Sequence, residues 1–121
     1  VNIGAARRVE KPWGHEEILV ETDLYRLKIL VIRAGEETSV QRHERKHESF
    51  YIDGGTADVL IGSEVRTLTK GQALVVPPGT VHQIRSARTQ GVRVIEVSNA
   101  VPDSDIERIV DRYVGQREVT P

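Results

Sequence analysis

Three side chains able to bind a cation lie close together in the segment GEETSVQRHERKHESFYIDGG, residues 35–55. Gln41 and His43 are spaced i, i+2, and four residues separate His43 from Glu48. Residues i and i+2 of a β-strand share a face, so Gln41 and His43 are expected to project side by side. Glu48 is expected to open a second strand, with Glu44 to His47 as the polar turn of a hairpin. Hairpin partners sit about 5 Å apart, which would return the carboxylate to the space beneath the two earlier side chains. An amide oxygen, an imidazole and a carboxylate converging in this way form a donor set for a divalent metal ion. His82 is the fourth candidate, provided that the fold brings its strand to the same cavity.

A lone histidine on a polar strand is ordinarily a structural residue. Two histidines in register with Gln41 and Glu48 reverse that expectation. Glu48 has no good alternative if its face turns inward, because an unpaired buried carboxylate is costly. Gln41 is the weakest donor of the four and either ligates or hydrogen-bonds water at the ion. Two imidazoles and one carboxylate leave a divalent ion with a net charge of about +1, suited to polarising a carbonyl or hydroxyl. The same donors are the facial pattern of non-haem iron oxygenases, so zinc, iron, manganese, nickel and cobalt all stay open. His47 neighbours Glu48 and should face away from it, and His15 reads as a strand-surface residue. Lys46, Arg45, Arg85 and Arg108 either line a cavity mouth and hold an anion or form a solvated face.

The elements that must position these groups are short. Strands are expected at 15–20, 24–33, 56–61, 65–69, 71–76, 81–86 and 92–97, separated by Gly, Pro and polar turns such as Gly62-Ser63-Glu64. Residues 1–10 read as an arm or a loose edge strand. The period changes only near the end, where Ile106, Ile109, Val110, Tyr113 and Val114 recur at helical spacing. Ser104-x-x-Glu107 resembles a capping box and Gly115 a stop signal, so a helix is expected over 103–115. Many short strands with Gly and Pro turns argue for a β-sandwich or a barrel.

Composition bounds the function. The 121 residues read as one domain, with a core of Val, Ile, Leu and Ala because aromatic residues are only 4%. A net charge of −1 gives no electrostatic case for nucleic acid or an anionic membrane as partner. The absence of cysteine excludes disulfides, thiolate metal sites and cysteine nucleophiles. No apolar run approaches a membrane span and the first residues carry no signal-peptide core, so a cytoplasmic protein is expected.

The spacings Gly35-x5-Gln41-x-His43-x4-Glu48-x6-Gly55 and Gly71-x5-Pro77-x-Gly79-x2-His82 resemble the two motifs of the cupin superfamily. Gln41 stands where many cupins carry histidine, and Ser86 where the second motif often ends in asparagine. Within cupins the chain resembles the cupin domain of type II mannose-6-phosphate isomerases. The matching pieces are KPWG at 11–14, SVQRH at 39–43, GTA at 55–57, VPPGTVH at 76–82, IEV at 95–97 and, more weakly, DIERIVDRY at 105–113.

The resemblance implies an all-β conical double-stranded β-helix, a jelly-roll barrel that is usually a homodimer. It implies a metal held by Gln41, His43, Glu48 and His82, with zinc the first expectation. It further implies a sugar-phosphate isomerase, with Glu48 or Glu96 near the reacting proton and Lys46 and Arg108 as cations for phosphate. The rivals are another metal-cupin reaction, such as oxygenation, a lyase step or a zinc-dependent rearrangement forming an N–N bond, and a non-catalytic metabolite-binding domain.

Overall fold

The computed structural model describes residues 4–113, and every regular element among them is a β-strand paired antiparallel with its neighbours. In chain order these are β1 (Arg7–Lys11), β2 (Gly14–Glu21), β3 (Tyr25–Ile32) and β4 (Val40–Arg42). They continue as β5 (Glu48–Gly54), β6 (Thr56–Ile61), β7 (Glu64–Thr69) and β8 (Ala73–Val76). The last are β9 (His82–Ser86), β10 (Val92–Asn99) and β11 (Glu107–Val110). The loose N-terminal edge strand is β1, and the Gly62-Ser63 turn closes the β6–β7 hairpin, with Gly62 at φ +62°.

Six strands form one sheet in the order β1-β2-β3-β10-β5-β8, and five form the other in the order β11-β4-β9-β6-β7. From β3 onward every connection except the β6–β7 hairpin crosses from one sheet to the other. Gly55 alone makes the crossing from β5 to β6, at φ +80°, where a Cβ would sit 2.2 Å from the Gly91 carbonyl oxygen. Only glycine fits that corner.

Period-two alternation turns one face of each strand inward. Along β10, Val92, Val94, Glu96 and Ser98 are buried while their neighbours are more exposed. The core joins Ile32, Phe50, Ile52, Val92 and Val94 of the larger sheet to Ala57, Val59 and Ile84 of the smaller. Each fully buried Val or Ile contributes about 1.5–3 kcal/mol, and Ile52→Ala would cost about 2–5 kcal/mol through the cavity it leaves.

Two expectations about the fold are corrected. Among the described residues no sheet closes into a barrel: β1 and β8 are the outer strands of one sheet, and β11 and β7 of the other. The sheets face each other across a shared core, and the connections between them replace the ladder that closure would need. The helix expected at 103–115 is absent among the described residues, which end before Val114. Its place holds a turn and the strand β11, which pairs with β4 as Glu107↔Arg42, Arg108↔Gln41 and Val110↔Val40. Ile109 and Val110 of the apolar stripe are exposed on β11 while Tyr113 is buried in the core, so the stripe does not present one buried helical face. The free edge of β4 offers unpaired backbone groups instead, and β-branched Ile109 and Val110 suit a strand. The capping box does not form, since Glu107 pairs with Arg42 at 2.9 Å.

Candidate metal centre

His82 is the first residue of β9 and lies across from Gln41 of β4, whose other neighbour is Arg108 of β11. Directly opposed residues of an antiparallel pair share a face, so all three project to the same side. His43 follows the end of β4. Glu48 opens β5 in the other sheet, between Ser98 of β10 and Val76 of β8. The expected hairpin between Gln41-x-His43 and Glu48 is therefore corrected: residues 43–47 bridge two facing sheets, and the carboxylate meets the imidazoles across the gap.

His43, Glu48 and His82 are all buried, and one donor atom from each lies within 4.8 Å of the others. Glu48 Oε1 sits 2.8 Å from His82 Nε2 and 3.4 Å from His43 Nε2. The far side of each ring is fixed by a carbonyl oxygen. His43 Nδ1 donates to the Asp105 carbonyl at 2.6 Å, and His82 Nδ1 donates to the Thr80 carbonyl at 2.9 Å. A neutral ring with its proton on Nδ1 presents a lone pair at Nε2. Both Nε2 atoms and Glu48 Oε1 lack a hydrogen-bond partner despite their proximity. Three buried acceptors aimed at one point require positive charge among them. A divalent cation satisfies all three at once. The donor set and its outer carbonyls thus fit a metal ion.

The second oxygen of Glu48 meets a cation from the chain itself. Lys46 Nζ stands 3.2 Å from Glu48 Oε2 and 2.9 Å from Glu96 Oε2. Burial opposes the charge on Lys46, but Glu96 and Glu48 outweigh it and raise the ammonium above its ordinary range. Burial likewise pushes the Glu48 carboxyl up, while His43, His82 and Lys46 push it down harder, leaving it ionised well below the usual range.

Above these groups lies a cavity of about 540 Å³ whose lining includes Lys28, Gln41, His43, Lys46, Glu96 and Arg108. Six of the seven sequence-derived site residues, Gln41, His43, Lys46, His82, Glu96 and Arg108, line this space, and the seventh, Glu48, is in contact with His43, His82 and Lys46. Arg108 arrives there on β11 rather than on a helix. Gln41 turns its Oε1 toward the Ser39 hydroxyl, which donates to it at 2.7 Å. His47 is exposed, as its alternation with Glu48 predicts.

Sequence reasoning missed Ser39, Asn99 and the part played by Asp105. Asn and Asp flanking Pro102 are signals of backbone capture in a loop, but nothing local names the backbone they capture.

The chain matches the protein family described as Mannose-6-phosphate isomerase C-terminal over residues 2–111. It belongs to that family. Among curated relatives, the mannose-1-phosphate guanylyltransferase of Escherichia coli is 29% identical over 109 residues, covering 88% of this chain and 23% of that protein. The mannose-1-phosphate guanylyltransferase ManC of Salmonella typhimurium is 30% identical with the same coverage. The chain therefore spans about a quarter of the length of these relatives. Among solved structures, KdgF from Halomonas sp. aligns with a TM-score of 0.73 at 24% identity, covering 84% of this chain and 90% of that one. A cupin-2 domain from Rhodospirillum rubrum aligns with a TM-score of 0.79 at 13% identity, covering 92% and 80%. The fold of this family member is that of the cupins, and its buried His-Glu-His cluster is one that can coordinate a divalent metal.

Proposed function

We propose that the chain is a metal-dependent isomerase of aldose and ketose phosphates, mannose 6-phosphate being the first substrate to test. The observation that carries this reading is the convergence of three buried lone pairs beside a Lys46–Glu96 ion pair at one cavity. In this reading His43, Glu48 and His82 hold a zinc ion, with Gln41 as fourth ligand once its amide oxygen turns from Ser39. A bound divalent ion supplies Lewis acidity toward the substrate carbonyl and the adjacent hydroxyl oxygen.

The chain's own groups do the rest. Glu96 takes the proton from C2 of the aldose and returns it to C1, while the hydroxyl proton passes from the C2 oxygen to the C1 oxygen. Lys46 keeps its proton throughout and faces the negative charge that develops on the substrate oxygens. Glu48, held ionised, remains a ligand and takes no proton. Arg108 receives the phosphate at the rim, away from the metal.

The same reading places the chain in the cytoplasm as a homodimer acting on a small molecule, with neither nucleic acid nor membrane as partner. Tyr51, Val75 and Val97, exposed on the outer face of the larger sheet, support a second copy as its cover.

Elemental analysis and an isomerase assay with mannose, glucose and fructose phosphates test the proposal. About one zinc per chain and turnover of one of these sugars are expected; a fully loaded protein that isomerises none of them overturns it. The two-histidine, one-carboxylate set also supports an iron oxygenase. Iron in the purified protein together with oxygen consumption would favour that second reading.

A further inference from the structure

The segment between His43 and Glu48 belongs to neither sheet, so its backbone groups need partners from elsewhere. They find them in two side chains more than fifty residues away. The Asp105 carboxylate accepts the Glu44 N–H on Oδ1 at 3.0 Å, and the Arg45 and Lys46 N–H groups on Oδ2 at 3.0 and 2.9 Å. The Asn99 side chain accepts the His47 N–H at 2.7 Å and donates to the Arg45 carbonyl at 3.2 Å. Four consecutive backbone donors are thus all taken by two side chains. Asp105 makes a further contact with its own carbonyl oxygen, which receives the His43 Nδ1 proton at 2.6 Å.

We infer that Asp105 is a positioning residue for the metal centre: one residue sets both the ring of His43 and the turn that carries Lys46 to Glu48 and Glu96. This rests on the metal reading above and goes beyond it, because it makes half of the site depend on the segment preceding β11. The physical reason is directional. The carboxylate pins the backbone of residues 44–46 to the backbone of residue 105, and the residue 105 carbonyl then stands at a fixed place relative to the His43 ring. With the carboxylate removed, the two segments separate, and the His43 ring loses the acceptor that holds its proton on Nδ1 and its Nε2 toward Glu48. His82 takes its acceptor from Thr80, two residues away on its own connection, and is insulated from that change.

This difference supplies the test. Asp105→Ala and Asp105→Asn are compared with the wild-type chain and with Asp103→Ala, which removes an exposed ion pair to Arg26 in the same segment. Zinc affinity is measured by competition with a chromophoric chelator, and the ring nitrogens of His43 and His82 are followed by long-range proton–nitrogen NMR in metal-free protein. Both Asp105 variants should bind zinc about tenfold more weakly or worse. The His43 nitrogens should shift while those of His82 stay in place, and Asp103→Ala should leave both readouts as in wild type. A smaller fall in affinity, unmoved His43 signals, or His43 and His82 shifting together would overturn the inference, the last by showing a general loosening. Should Asp105→Ala fail to fold, Asp105→Asn, which keeps the shape and one acceptor, decides. Wild-type protein that takes up no zinc would end the metal reading, and the ring-nitrogen measurement would still decide the role of Asp105.

Discussion

The two histidines of the centre face the same carboxylate from unlike supports. His82 begins β9, flanked by Gln41 of β4 and Ile61 of β6, and its ring is anchored to a carbonyl two residues away. His43 stands beyond the end of β4, and its ring is anchored to a residue 62 positions along the chain. One half of the site is built by a strand and its own connection; the other is assembled by a distant segment that also brings Arg108. The first half needs only the sheet. The second needs residues 99–113 to be docked, which involves Asn99, Asp105 and the Arg112–Glu36 pair.

The largest expected effects come from removing the ligands themselves, where the two halves should look alike. His43→Ala and His82→Ala should each lower zinc affinity by more than about a hundredfold, beyond the range of outer-sphere changes. Gln41→Ala should cost about tenfold or less, because a neutral amide is the poorest donor and water can replace it. Equal losses for all three, measured by chelator competition, would make Gln41 an obligate ligand.

Lys46→Ala probes the middle of the non-local half. It leaves Glu48 and Glu96 buried without their shared counter-ion, which should destabilise the metal-free protein by about 3 kcal/mol. Chemical denaturation should show a smaller loss after zinc loading, since the ion then neutralises Glu48. The same loss with and without zinc would mean that the ion does not sit at Glu48.

Arg108→Gln sharpens the division between metal and substrate. Loss of a charge-assisted phosphate contact of about 1.5–3 kcal/mol should lower kcat/KM for a phosphosugar about ten- to hundredfold, with metal content unchanged. A variant as active as wild type would remove Arg108 from the substrate site.

Asn99→Ala should cost about 1 kcal/mol, the value of a lost backbone capture, and should loosen residues 45–47 without moving His82. Backbone amide exchange at His47 is the measurement, and protection unchanged from wild type would show that Asn99 is dispensable.

The smallest effect is acid sensitivity of the docked segment. The Tyr113 hydroxyl lowers the Glu36 carboxyl, burial opposes it, and Arg112 lowers it further, so the net value is depressed. Burial opposes ionisation of Asp103 and Asp105 too. Arg26 outweighs it for the first, and the backbone N–H groups of Arg45, Glu44 and Lys46 for the second. A carboxyl depressed in the folded state contributes stability that is fully present above its unfolded value, about 4, and is lost as pH falls through the folded one. The melting temperature of wild type should therefore fall more steeply than that of Glu36→Gln as pH drops below about 4. Parallel curves would show that Glu36 does not tie the segment down.

Much of the site could be read from residue types and spacing. The His43, Glu48 and His82 cluster was legible because a buried carboxylate needs a partner, whereas the strand face expected to carry Gln41 and His43 together ends at Arg42. The strands over 56–61, 65–69 and 92–97 were legible for another reason, since period-two alternation between Gly turns leaves little choice. The helix over 103–115 was misread because Ile106, Ile109, Val110 and Tyr113 fit a helical stripe, and periodicity alone does not say whether a surface exists to bury it. The free edge of β4 decided for a strand.

The sequence by itself determined which side chains could hold a cation, and which segments were strands around an aliphatic core. These depend on residue chemistry and on spacing within a few positions. Only the tertiary structure decided that Glu48 reaches the histidines across two facing sheets, since a four-residue polar connection serves a hairpin and a sheet-to-sheet crossing equally well. It alone placed Lys46 between Glu48 and Glu96, and gave the backbone of residues 44–47 to Asp105 and Asn99. Those contacts join residues about fifty to sixty positions apart. No short-range pattern encodes such a pairing; it arises when the sheets pack and every buried donor must find an acceptor.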